Sequence, residues 1–103
     1  MIQRKSEMEL LQDSAADAAA LLQAVGNPSR LLVLCLLIAE GEMSVGALNE
    51  KIALSPSALS QHLARMRDEG LVTYRREAQT LYYRIEDPNV AKLIGTLKDI
   101  FCA

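Results

Sequence analysis

Between Ser55 and Ile85 the spacing of apolar residues changes from that of a helix to that of a strand, and no other feature narrows the fold so much. Ser55-Pro56 offers a hydroxyl N-cap followed by a proline whose fixed φ suits the first helical position. Leu59, Leu63 and Met66 then fall at i, i+4 and i+7, one stripe of a helix that stops at Gly70. Immediately afterwards LVTYRR and LYYRI are rich in β-branched and aromatic residues, and the EAQT between them reads as a hairpin connection. Upstream, Ser44 can cap a short helix carrying Val45, Leu48 and Ile52 on one face. Two short helices joined by a tight turn, with a hairpin after them, make a winged helix-turn-helix.

The remaining segments supply scaffold helices. From Met8 to Val25, Leu11, Ala15, Ala18, Leu22 and Val25 recur at helical spacing, and Gly26-Asn27-Pro28 ends that helix and opens the next. Arg30 to Glu40 is apolar on every side, which predicts a central helix buried all round and closed by Gly41. Asp87-Pro88 starts a last helix with Val90, Leu93, Ile94, Leu97 and Phe101 on its apolar side, running to the C-terminus and ending its final turn at Cys102. The expected fold is therefore mainly α (α+β), in the order α-α-α-α-β-β-α, with a short extra strand near Met43. A length of 103 residues predicts a single domain, 1–103. The longest apolar run, Leu31 to Ala39, is far shorter than the roughly 20 residues that span a bilayer. The N-terminal MIQRKSEMELLQ is charged and lacks the apolar stretch of a signal peptide, so a cytoplasmic protein without membrane partners is expected.

A net charge of −2 at first argues against a nucleic-acid partner, but the charge is unevenly spread. Residues 55–84 carry five basic and three acidic side chains, the only positive segment of the chain. With Leu59 at the centre of the buried face, Ser57, Gln61 and Ala64 point the opposite way, and Ser60 and Arg65 lie on the flanks. Small and polar side chains let a helix enter the major groove, and glutamine suits bidentate contact with adenine. Ser57 and Gln61 are the base-reading candidates. Ser60 and Arg65 suit base edge or phosphate, and Ser55 can offer phosphate its hydroxyl or its helix N-terminus. Arg75 and Arg76, with Gln79 and Thr80 beyond them, give the hairpin its phosphate candidates. His62 lies roughly 60° from the buried centre, where a histidine usually packs against a neighbouring helix, though phosphate is within its range. By itself a serine-rich polar face is ordinary solvated surface. The helix pair before it and the basic hairpin after it favour DNA.

The stretches VGNPSRLLVLCLL and SVGALNEKIALSPSALSQHLARMRDEGLVTYRREAQTLYYRI resemble the ArsR family of bacterial repressors over nearly the whole chain. The pattern S-x-S-x-L-S-Q-H-L-x-x-(L/M)-R-x-x-G-L-V is reproduced from Ser55 to Val72. The resemblance implies a homodimer built through the first and last helices, placing paired recognition helices on the half-sites of an inverted-repeat operator in double-stranded DNA. Many members of that family sense metals through Cys in the helix before the recognition helix, or through His and Asp on the last helix. This chain departs from both patterns, since residues 43–48 hold no Cys and residues 91–103 no His. Neither a metal nor a cofactor is expected.

The pair Cys35 and Cys102 matches the family's thiol- and persulfide-sensing branch of BigR-, SqrR- and HlyU-like regulators. That resemblance implies a repressor that leaves DNA when reactive sulfur species or oxidants join the two cysteines through a disulfide or a longer sulfur bridge. From the residues alone, Cys35 within LVLCLL reads as a small core hydrophobe, while Lys98 favours and Asp99 opposes a thiolate at Cys102. Two alternatives stand beside this one. An HlyU-like activator would work by displacing another repressor, and a winged helix of this acidic pI, about 5.3, could serve protein interaction without binding DNA. No phosphate loop, metal cluster or nucleophile beside the lone His points to an enzyme.

Overall fold

A computed structural model describes residues 6–102. The elements are α1 (Glu7–Val25), α2 (Pro28–Glu40), β1 (Met43–Ser44), α3 (Val45–Lys51), α4 (Pro56–Asp68), β2 (Val72–Glu77), β3 (Thr80–Ile85) and α5 (Pro88–Phe101). The order matches the expected α-α-α-α-β-β-α with its extra strand at Met43, and the architecture is a winged helix-turn-helix. The first five residues of the charged N-terminal stretch lie outside the described residues.

Local chemistry starts each helix where the capping residues stand. The side chains of Asn27, Ser44, Ser55 and Asp87 accept from the backbone N–H of Arg30, Ala47, Ala58 and Asn89, satisfying donors that the first turn leaves free. Pro28, Pro56 and Pro88 follow three of these caps, where a missing N–H costs nothing. Gly41 and Gly70 end α2 and the α4 turn at φ values of 81° and 78°, a region open to glycine and strained for other residues.

The sheet is antiparallel with strand order β1-β3-β2. Its register pairs Met43 with Tyr83, Val72 with Ile85 and Tyr74 with Tyr83. Only Ala78 and Gln79 link β2 to β3, because Glu77 and Thr80 already pair across the strands. The EAQT connection is thus a two-residue loop. One apolar cluster joins Val33, Leu34 and Leu37 of α2, Leu48 of α3, Leu59, Leu63 and Met66 of α4, Val72 and Tyr83 of the sheet, and Val90 and Ile94 of α5.

The central helix departs from expectation. α2 buries only Val33, Leu34 and Leu37, the face that meets α5 and the sheet, while Leu32 is 54% exposed and Cys35 is half-buried. Burial all round would need elements on both sides, and α1 leaves α2 at 90° instead of folding back over it. Consequently α1 buries Val25 alone, and its Met8, Leu10, Leu11 and Leu22 stand exposed, as do Ile100 and Phe101 of α5, as uncovered apolar surface. Cys102 also falls one residue past α5, as its C-cap. Among the described residues no single helix is long and apolar enough to cross a membrane.

Candidate nucleic-acid interface and thiol cleft

The outer face of α4 follows from the inner one. Leu59, Leu63 and Met66 are fully buried, which turns Ser57, Ser60, Gln61 and Arg65 to solvent. Gln61 and Arg65 border a shallow depression of about 470 Å³ with Ala58, His62 and Ala64, where small side chains leave room for a ligand edge. Ser55 is occupied at the N-terminus: its Oγ accepts from the Ala58 N–H at 3.1 Å and lies 3.4 Å from Ser57 Oγ. One lone pair of that hydroxyl is thus committed to the cap. His62 is half-buried, with Nδ1 enclosed and without a hydrogen-bond partner among the described residues.

The hairpin places its two arginines on opposite faces. Arg75 shares a face with Tyr82 and points away from the Tyr74–Tyr83 pair, whose rings lie 5.4 Å apart. Its guanidinium sits 4.5 Å from the Tyr82 ring centre. Nε donates to both Glu42 carboxylate oxygens at 3.1 and 3.0 Å, Nη2 donates to Glu42 Oε1 at 2.8 Å, and Nη1 donates to Glu77 Oε2 at 2.9 Å. The hydrogen bonds from Arg75 hold the Glu42 carboxyl below its ordinary pKa, and those to Glu42 and Glu77 push the guanidinium above its own. Arg76, Gln79 and Thr80 are exposed, and the Arg76 side chain has no ion pair or hydrogen bond among the described residues.

Three participants were not legible in the sequence. Glu42 lies 33 residues from Arg75, and the registers of β1 and β2 on β3 together bring it there. Arg67 stands on the flank of α4 with its guanidinium 5.3 Å from the Tyr74 ring centre, and its ion pair with Asp68 is long at 3.8 Å. The helical wheel gives Arg67 a flank position, but the aromatic partner belongs to the sheet. Arg30, at the start of α2, donates through Nη1 to the Ala24 carbonyl at 2.8 Å and to Glu69 Oε2 at 3.2 Å, tying together the end of α1, α2 and the end of α4.

Cys35 and Cys102 line one cleft between α2 and α5, of about 150 Å³, with Leu31, Leu97, Lys98 and Phe101 as its other walls. Burial raises the Cys35 pKa, and the nearby Lys98 charge pulls against it. Cys102 is exposed. No cluster of three or more His, Cys, Asp or Glu suited to a metal ion occurs among the described residues.

Comparison with known proteins adds to this geometry. The family described as bacterial regulatory protein, arsR family, matches residues 27–74, from the start of α2 to the middle of β2. HTH-type transcriptional regulator YgaV of Escherichia coli is 50% identical over 97 residues, 94% of this chain and 98% of the relative. Transcriptional activator HlyU of Vibrio cholerae is 42% identical over 92% of this chain and 87% of its own length. Among solved structures, the transcriptional repressor BigR from Xylella fastidiosa superposes with a TM-score of 0.85 at 37% identity, covering 95% of this chain and 99% of that one.

Proposed function

This chain belongs to the arsR family of bacterial regulatory proteins, and we propose that it is a DNA-binding transcription regulator of a single winged-helix domain, acting as a homodimer. The observation that carries this reading is the two-sided α4: a buried Leu59–Leu63–Met66 stripe behind a solvent-facing Ser57 and Gln61. In this reading Ser57 and Gln61 read base edges, Ser55, Ser60, His62 and Arg65 hold the backbone around them, and the hairpin with Gln79 and Thr80 follows the adjacent groove. The uncovered apolar residues of α1 and α5 supply the contact with a second copy, which sets two α4 helices on an inverted repeat.

The finer reading is a repressor that leaves its operator when Cys35 and Cys102 are bridged. The shared cleft supports it, because both thiols border one small apolar space. Bridging removes two protons and two electrons from the thiols; a peroxide takes them up as water, and a polysulfide as released sulfide. A bridge would bind α2 to α5 and so act on the dimer and the spacing of its α4 helices. Coupling of about 1–3 kcal/mol is enough to change affinity 5- to 150-fold. The relationship to HlyU, named an activator, favours a second reading in which the same DNA contact displaces another repressor. Enzymatic chemistry has no part in either, as the family is one of regulators.

The test is a gel shift on DNA upstream of the protein's own gene, reduced and after polysulfide or diamide. Release by the oxidant, abolished in Cys35→Ser and Cys102→Ser, is the expected result. Unchanged affinity on oxidation removes the sensing half. Absence of salt-dependent binding to any duplex removes the DNA half and leaves a protein-interaction module.

A further inference from the structure

We propose that the two hairpin arginines divide their work: Arg75 is a positioning residue that latches the hairpin to the α2–β1 turn, while the phosphate contact falls to Arg76 together with Arg67. This rests on the DNA-binding reading above and goes beyond it, because adjacent arginines in a basic hairpin would otherwise count alike.

Charge balance makes the first half of the case. Arg75 lies between Glu42 and Glu77, with Nε, Nη1 and Nη2 all donating to carboxylate oxygens. Arg75 is thus matched by two carboxylates, and with Arg84 also acting on Glu42 the cluster balances its charges and leaves no surplus cation for a phosphate. The Tyr82 ring covers one face of the Arg75 guanidinium, while the side chain keeps 46% of its surface exposed. What the cluster does offer is a mechanical link, because Glu42 directly follows Gly41, the C-cap of α2, and Arg75 sits in the middle of β2.

Strand alternation makes the second half. Arg76 pairs with Leu81 across the hairpin and shares its face with Tyr74 and Tyr83, the side on which α4 lies. Arg67 reaches that face from α4 and covers the Tyr74 ring. Arg76 stands roughly 7 Å further along the strand from Tyr74. Arg67 and Arg76 thus share one face of the molecule, the first at the recognition helix and the second toward the hairpin tip. Arg76 has no carboxylate partner among the described residues, and Arg67 has only the long, exposed contact with Asp68. A cation left free in this way can neutralise a DNA phosphate, which releases the counterions condensed there.

The experiment measures binding of the full chain to a labelled random-sequence duplex by fluorescence anisotropy, from about 50 to 200 mM salt. Such a duplex reports phosphate contacts without base reading. Arg76→Ala and Arg67→Gln should each reduce the slope of log affinity against log salt by about 0.9. Arg75→Gln should leave the slope at the wild-type value. Arg75→Glu should weaken binding, and combining it with Glu42→Arg should restore affinity, because a latch tolerates reversal and a phosphate contact does not. An Arg75→Gln slope reduced as far as that of Arg76→Ala, or failure of the reversed pair to recover, overturns the division of roles. If the wild type itself shows no salt-dependent binding, the DNA-binding reading falls and this inference with it; a wild-type slope kept by Arg76→Ala removes this inference alone.

Discussion

Replacing Arg30 by methionine should destabilise the protein far more than removing its carboxylate partner. The Arg30 side chain is 11% exposed, while Glu69 is 44% exposed. Arg30 Nη1 bonds the Ala24 carbonyl, one of the last acceptors of α1, which has no partner within its own helix. A hydrogen bond from a charged group to such an acceptor contributes about 1.5–3 kcal/mol, and a cation at a helix C-terminus adds a few tenths more. The pair with Glu69 is half in water and adds about 0–1 kcal/mol. Methionine keeps most of the packing of the arginine stem. Arg30→Met should therefore cost about 2–3 kcal/mol, and Glu69→Gln less than about 1 kcal/mol. For a domain of this size the first change lowers Tm by roughly 8–24 °C. Urea unfolding followed by far-UV circular dichroism, at one fixed protein concentration and with the m-value checked, measures both variants. Equal costs would show that the ion pair, not the helix-end carbonyl, holds these three helices together, and would refute the reasoning.

Ala78 holds φ at 56° in the two-residue hairpin loop, so Ala78→Gly should raise stability by about 0.5–1 kcal/mol after the added entropy of the unfolded chain is subtracted; a lower Tm would contradict the strain. Phe101 is 80% and Leu11 65% exposed, so Phe101→Glu with Leu11→Glu should convert a sedimenting dimer to monomer without loss of helix content, and unchanged sedimentation would exclude this surface as the interface. Iodoacetamide at neutral pH should label exposed Cys102 well before Cys35. Burial raises the Cys35 pKa, so its thiolate fraction is small at that pH, and its labelling should accelerate only in alkali; equal rates at neutral pH would show the cleft to be open.

Nearest-neighbour chemistry explains why so much of the fold was legible. Caps at Ser44, Ser55 and Asp87 act within one helical turn, and the Leu59–Leu63–Met66 stripe states which side of α4 faces inward. The outward face of Ser57 and Gln61 follows from that stripe without any knowledge of the neighbours. Pairing Cys35 with Cys102 came from resemblance alone, because 67 positions separate them and neither has a local partner; the cleft between α2 and α5 is what brings them to one space.

Sequence by itself determined the element order, the helix starts and the inward side of each amphipathic element, since those depend on residues within about one turn or one strand pair. Tertiary structure decided which charges are spent on one another: Arg30 with Glu69 across 39 positions, and Arg75 with Glu42 across 33. It also decided that α2 is covered on one side only. The physical reason is that a periodic pattern encodes inside against outside, whereas the partner of an exposed or half-exposed side chain depends on strand register and helix crossing, which no single segment carries.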